Sequence, residues 1–290
     1  MTNSQSLFER FCREKQILRN ATPRTLGSYA DGWRAFQFYG GCTCVHYLSA
    51  DRLTQWVVTM SSAGLKPGSI NSYASGINSF LTWLDETGHA PERFRVPLAR
   101  KGREVLKTYS AEDIEAIVRH RPTSRTGKRV MALLYLLIDT GCRVNEALTL
   151  TRDKVDFDNS LVSLKGKGGK WRTVPIEKEC RRVLYRWLDS HEHSLVFCTK
   201  DGGPMLYSNL KRDFLAVLRA VNVEKTEGAF HAFRRYFGKY YLRCGGNLRY
   251  LQQIFGHSTM TMVQRYVEAD EDDLREAHRT LSPLEGLKKR

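Results

Sequence analysis

Nothing in the chain strings together the ~20 apolar residues that a membrane span requires. Its longest apolar run, built around residues 131–138, reads instead as one buried helix. The first residues carry no basic-then-apolar signal pattern, which leaves the cytoplasm, close to the nucleoid, as the expected compartment. Cysteine is sparse and odd in number: seven residues, scattered at positions 12, 42, 44, 142, 180, 198 and 244, so no disulfide framework is implied. The one local cluster, Cys42, Cys44 and His46, lacks the spacing of a structural zinc site and reads as ordinary reduced cysteine. Acidic side chains are in deficit, 31 against 46 Lys and Arg, for a formal net charge of +15. An excess of that size implies a polyanionic partner.

Apolar material is not lacking. With 41% hydrophobic and 11% aromatic residues the chain can bury a sizeable core, which excludes a disordered protein. At 290 residues it exceeds the usual single domain, so two domains are expected. The basic excess is shared between the parts. Residues 1–100 hold 11 basic and 7 acidic side chains, and residues 101–290 hold 35 and 24. That distribution suits a protein gripping nucleic acid from two sides.

Four amphipathic helices are read in the first part. Residues 5–19 place Leu7, Phe8, Phe11, Ile17 and Leu18 on one face. Thr22-Pro23 opens a second helix, with proline at its first position, carrying Leu26, Tyr29, Trp33, Phe36 and Phe38. Ser49 caps a third, with Leu53, Trp56, Val57 and Met60, and Pro67 begins a fourth running from Ile70 through Leu84. Arg24, Thr25, Lys66, Ser69, Asn71 and Ser72, between and along these helices, are candidates for touching phosphates or for a solvated face. The composition turns to proline, glycine and basic residues from Pro91, and residues 96–107 are read as a basic linker. Residues 1–95 and 108–290 are then the two domains.

In the second part Ser110 caps a helix, and residues 128–139 form the buried helix, broken at Thr140-Gly141. The stretch GCRVNEALTL follows as a tight turn into a helix, with Arg143 at the turn and Glu146 three residues on. Short strands are expected at 154–157, 161–164 and 172–176, the last two joined by the glycine- and lysine-rich hairpin at 165–170. Helices at 177–189 and 208–220 lead to HAFRR, where His231 and Arg234 share a helical face. Gly256 closes a further helix before His257, and Tyr266 stands nine residues beyond that. Two imidazoles, a guanidinium and a phenol converging on one spot suit a phosphodiester.

These motifs resemble the tyrosine recombinases, the phage-integrase family that includes the bacterial Xer recombinases. Arg143 in TGCRVNEAL, Lys167 in the GKGGK hairpin, His231 and Arg234 in HAFRR, His257 in GHS and Tyr266 carry the resemblance, which spans about 108–268 by motif and the first part by layout only. It implies a mainly α chain with a small β-sheet: a four-helix SAM-like core-binding domain, then an α+β catalytic domain. It also implies site-specific recombination by a homotetramer on two duplex DNA sites of inverted-repeat form, through a Holliday junction, for a mobile element or replicon. No metal, ATP or other cofactor is implied, while accessory proteins are left open.

Under that resemblance Tyr266 attacks phosphorus to form a 3′-phosphotyrosyl bond, and Arg143 and Arg234 clamp the phosphate. His231 and His257 bond the same oxygens, with His231 accepting the tyrosine proton, and Lys167 protonates the leaving 5′-oxygen. Glu146 orients Arg143. Lys165 and Lys170 remain alternatives to Lys167, which is set apart by glycine on both sides, and Tyr236, Tyr240 and Tyr241 are alternatives to Tyr266. In the acidic tail, Leu274, Ala277 and Leu281 form one helical face, to pack on their own domain or on a neighbouring protomer. Two other function classes share some of these features: a type IB topoisomerase, and a DNA-binding regulator without catalysis.

Overall fold

The computed structural model describes residues 4–40, 45–100, 102, 107–264, 275, 278 and 279, with backbone only at His46 and Lys167. Tyr266, the Lys167 side chain, the apolar face of the tail, and Cys42 and Cys44 therefore lie outside the described residues. The chain divides into two compact units, Met1–Val105 and Leu106–Arg290.

The first unit is built from α1 (Ser4–Arg19), α2 (Pro23–Phe38), α3 (Ala50–Ser62) and α4 (Pro67–Glu86). The Thr22 and Ser49 hydroxyls accept the amides of Thr25 and Arg52, so α2 and α3 start where capping chemistry places them. Aromatic rings fill the core: Phe8 stacks on Trp33 at 4.7 Å, and Phe80 meets both edge-on. Helices α2 and α4 approach closely at two glycines. A Cβ on Gly32 would stand 2.9 Å from the Tyr73 carbonyl, and one on Gly76 would stand 3.3 Å from the Ser28 carbonyl.

Three residues read as core are not. Ile17, Leu18 and Phe38 are 68%, 71% and 80% exposed. They sit at the last turns of α1 and α2, where the apolar stripe continues past the neighbours that could cover it. The chain after α4 also differs from a free linker, because Phe94 and Val96 are buried in this unit's core. Two asparagines seven residues apart on one face of α4 hold the segment in place. Asn78 accepts the Val96 amide at 2.7 Å and donates to its carbonyl at 3.1 Å. Asn71 does the same for Ala99, at 2.7 and 2.9 Å. Asn71 thus acts as a structural clamp on the segment that follows α4.

The second unit contains α5 (Ala111–Arg119), α6 (Arg125–Thr140), α7 (Val144–Leu148), strands β1 (Val155–Asp156), β2 (Leu161–Lys165) and β3 (Trp171–Pro175), then α8 (Lys178–Leu188), α9 (Tyr207–Ala220), α10 (Phe230–Arg243), α11 (Leu248–Phe255) and α12 (Met260–Gln264). The strands form one antiparallel sheet in the order β1-β2-β3, with Val162 opposite Val174 and Lys165 opposite Trp171. Helix α6 is the centre. It buries Val130 through Leu134, Leu136 and Leu137, apolar nearly all round, and α8, α9 and α10 pack against it. It starts three residues earlier than the apolar pattern suggests, because Ser124 caps it through the Gly127 amide.

The asparagine clamp makes a direct prediction. Asn78→Ala strands the Val96 amide and carbonyl in a partly buried setting, which costs about 1–3 kcal/mol. A urea melt followed by tryptophan emission is expected to show the first unit unfolding at lower denaturant, and an unchanged midpoint would show that the clamp is idle.

Candidate active site

Helix α6 ends at Gly141, whose φ of 59° belongs to the left-handed region that favours glycine. A Cβ there would also lie 2.5 Å from the Phe255 ring and 2.9 Å from Phe237, so glycine is required twice over. Two residues on, Arg143 is the N-cap of α7, and Glu146 reaches back to it. The carboxylate accepts the Arg143 amide at 2.9 Å and its Nη1 at 2.9 Å. From the other side it accepts Nη1 and Nη2 of Arg172 at 3.1 and 2.6 Å. Glu146 is only 5% exposed. Burial pushes its carboxyl up, but the Arg172 side chain, the Arg143 amide and the Arg143 guanidinium together hold it below the ordinary carboxylate range.

Arg172 lies on β3, between Trp171 and Thr173, on the face that also carries Val174 into the core. Its Nε donates to the Ile254 carbonyl at 2.7 Å. The motif reading did not single it out, although a signal was present: an arginine sharing the inward alternation of Val174 and Ile176 needs a buried partner.

Helix α10 supplies His231 and Arg234. Arg234 is 1% exposed, and its guanidinium lies 3.8 Å from the Phe255 ring centre. Nη1 donates to the Gly141 carbonyl at 2.7 Å, while Nη2 donates to the Phe255 carbonyl at 2.9 Å and meets His257 Nε2 at 2.8 Å. The carbonyls of Gly141, Ile254 and Phe255 belong to the C-terminal ends of α6 and α11, which carry partial negative charge and lack helical partners. Guanidinium groups satisfy them. Gly256, with φ 62°, ends α11 and turns the chain so that His257 enters the cluster, 9% exposed.

The imidazoles register their surroundings. Desolvation first, then Arg234, Arg143, Arg172 and His231, bring His257 down to about 4. Desolvation, then Arg234, Arg235 and Arg143, do the same for His231. The His231 residue is nonetheless solvent-exposed, so water offsets part of its desolvation while the guanidinium repulsion persists. An arginine nitrogen can only donate, so His257 Nε2 accepts from Arg234 and its proton resides on Nδ1. The structure thus brings Arg143, Glu146, His231, Arg234 and His257 into one neighbourhood and adds Arg172. Tyr236 stacks on Tyr240, and Tyr241 on Phe237, each pair at 5.9 Å. Arg235 serves the fold, donating from Nε to the Lys107 carbonyl at 2.8 Å.

Three guanidinium groups and two neutral imidazoles face one carboxylate here. The group that answers such a site is an oxyanion with several acceptor oxygens, such as a phosphodiester. Arg143 is one-third exposed and uses Nη1 for Glu146; among the described residues its other side-chain donors have no partner and so face such a group.

Residues 107–273 match the phage integrase family. Among curated proteins, the chain is 31% identical over 248 residues to tyrosine recombinase XerD of Chlorobaculum tepidum, covering 80% of each. It is 27% identical over 302 residues to tyrosine recombinase XerC of Xanthomonas campestris pv. campestris, covering 98% of this chain and 90% of the relative. Among solved structures, the Tn1549 transposon integrase in complex with transposon right end DNA superposes with a TM-score of 0.77 at 17% identity, over 95% of this chain and 99% of that one. XerH site-specific recombinase bound to its palindromic difH substrate gives 0.74 at 18% identity, over 94% and 83%. The fold is that of these enzymes.

The depressed imidazoles set a pH dependence. Unfolded histidine titrates near 6.5, so the stabilisation is complete above that value and is lost as pH falls toward 4, where the native state resists protons that the unfolded chain accepts. For His257 the loss at pH 5 is up to about 2 kcal/mol. Thermal melts are expected to fall between pH 7.5 and 5, with a smaller drop in His257→Gln and partial rescue by inorganic sulfate. An equal drop in the variant would assign the acid sensitivity to other groups.

Proposed function

The chain belongs to the phage integrase family and is a tyrosine-type site-specific recombinase; from that premise we propose that it cuts and rejoins duplex DNA through a 3′-phosphotyrosyl intermediate. The observation that carries this reading is the oxyanion site itself, Arg143 and Arg172 joined through Glu146 beside the Arg234–His257 pair. A scissile phosphodiester placed against Arg143 and the two imidazoles meets donors already fixed in position.

Tyr266 is the proposed nucleophile. Its phenolic oxygen bonds to phosphorus as the bond from phosphorus to the 5′-oxygen breaks. The phenolic proton passes to His231, and Lys167 supplies a proton to the leaving 5′-oxygen. A neutral His231 is ready to accept a proton, and the charge of a bound phosphate raises its basicity toward what the step requires. The same charge converts His257 from an acceptor of Arg234 into a donor to phosphate, releasing one Nη2 hydrogen of Arg234 for the same oxygen while the other stays on the Phe255 carbonyl. The phosphotyrosyl bond conserves the energy of the phosphodiester, so attack by a 5′-hydroxyl from a second duplex rejoins the strands in reverse.

Strand exchange between two duplexes then passes through a Holliday junction held by a homotetramer. The XerH complex contains a palindromic substrate and the Tn1549 complex a transposon end. By analogy this chain is proposed to take an inverted-repeat site in a replicon or mobile element, with the first unit as a DNA-binding domain and the second as the catalytic domain.

Two substitutions test the assignment. Tyr266→Phe is expected to bind DNA with parental affinity and form no covalent adduct on nicked suicide substrates; an adduct would move the nucleophile to another tyrosine. Lys167→Ala is expected to lose cleavage by about 10²–10⁴-fold on ordinary DNA and recover with a 5′-bridging sulfur, which departs without a proton. Equal defects on both substrates would reduce Lys167 to a phosphate contact.

A further inference from the structure

Five tryptophans occur in the chain, and four of them, Trp33, Trp56, Trp83 and Trp187, are at most 5% exposed. The fifth, Trp171, is 53% exposed. It opens β3, immediately after Lys170, and the alternation of the strand turns it outward while Arg172 turns inward to Glu146. Two lysines flank the indole. Lys154 Nζ stands 5.6 Å from the ring centre and Lys165 Nζ, on the residue directly opposite in β2, stands 5.9 Å away. The Ser163 and Thr173 hydroxyls extend the same outer face at 3.2 Å from each other. The nearby acids are already engaged: Asp153 pairs with Lys154 at 2.8 Å, and Asp156 accepts the amide and side chain of Asn159.

An exposed indole between ammonium groups does not suit an apolar protein partner. Docking such a partner would bury the lysines with the ring, and lysine is depleted at protein interfaces. Nucleic acid divides the two demands, because phosphates take the ammonium groups while sugar and base surfaces take the ring. Its place also matters. The neighbouring residue, Arg172, ties Glu146 and through it Arg143, so anything that pins the start of β3 pins the oxyanion site.

The geometry points to Trp171 as a DNA-contacting and positioning residue, its indole packed on the sugar–base surface near the scissile phosphate, with Lys165 on an adjoining phosphate. This rests on the recombinase reading above. Since Trp171 is the exposed indole among five, its contact with DNA has its own optical signal.

The test combines acrylamide quenching of tryptophan emission with anisotropy of a labelled mixed-sequence duplex at low ionic strength. Duplex binding is expected to shield the quenchable component, and Trp171→Phe to lack that component while keeping near-parental affinity and cleavage. Trp171→Ala, folded by circular dichroism, is expected to bind roughly 5- to 150-fold more weakly, the range of one lost aromatic stack. A duplex that binds by anisotropy but leaves quenching unchanged overturns the inference and spares the recombinase reading. Shielding that follows protein concentration without DNA also overturns it, in favour of contact between copies. Failure to bind any duplex removes both.

Discussion

Three guanidinium groups held by one carboxylate and by the ends of two helices are the constraint around which the second unit is arranged. Glu146 joins Arg143 at the start of α7 to Arg172 on β3. The carbonyls closing α6 and α11 take up the remaining demand, through Arg234 and again through Arg172. Elements far apart in sequence are thereby fixed relative to one another by charge-assisted bonds. Deleting one member of such a buried set strands its partners, typically at a cost on the order of 3–5 kcal/mol. The arrangement therefore stabilises the fold and shapes the site with the same contacts.

The excess positive charge left inside this network is unfavourable to the resting protein and, under the proposed function, useful to the reaction. Together with burial, the larger cause, it lowers both imidazoles to about 4. A phosphodiester entering the site cancels part of that repulsion, so binding and protonation reinforce each other. Gly141 and Gly256, both in the left-handed region, hold the two turns that deliver Arg143 and His257. Preorganisation of this kind is what electrostatic catalysis requires.

Much of this was legible in the sequence, and the gaps have physical causes. Proline at the first helical position and Ser or Thr before it placed α2 and α3 accurately, because capping is a local interaction. Arg143, Glu146, His231, Arg234 and His257 could be named from motif and spacing, and they do share one neighbourhood. Arg172 was missed because its partner lies 26 residues away, and only the inward alternation of β3 hints at it. Ile17, Leu18 and Phe38 were misread as core because periodicity reports which face a residue occupies, not how far along the helix a neighbour extends. Asn71 was taken for a surface polar residue because an asparagine amide serving a backbone 28 residues away leaves no local trace.

The paired asparagines of α4 also decide where the first unit ends. Val96 and Ala99 are held much as a strand is held by its neighbour, except that side-chain amides stand in for the missing backbone. A fragment trimmed at residue 95 would expose two asparagines with nothing to grip and uncover the apolar hole left by Val96. One carried through residue 99 keeps its own clasp. The proline- and arginine-rich composition that begins at Pro91 thus marks a segment that is, through Ala99, part of the first unit's packing.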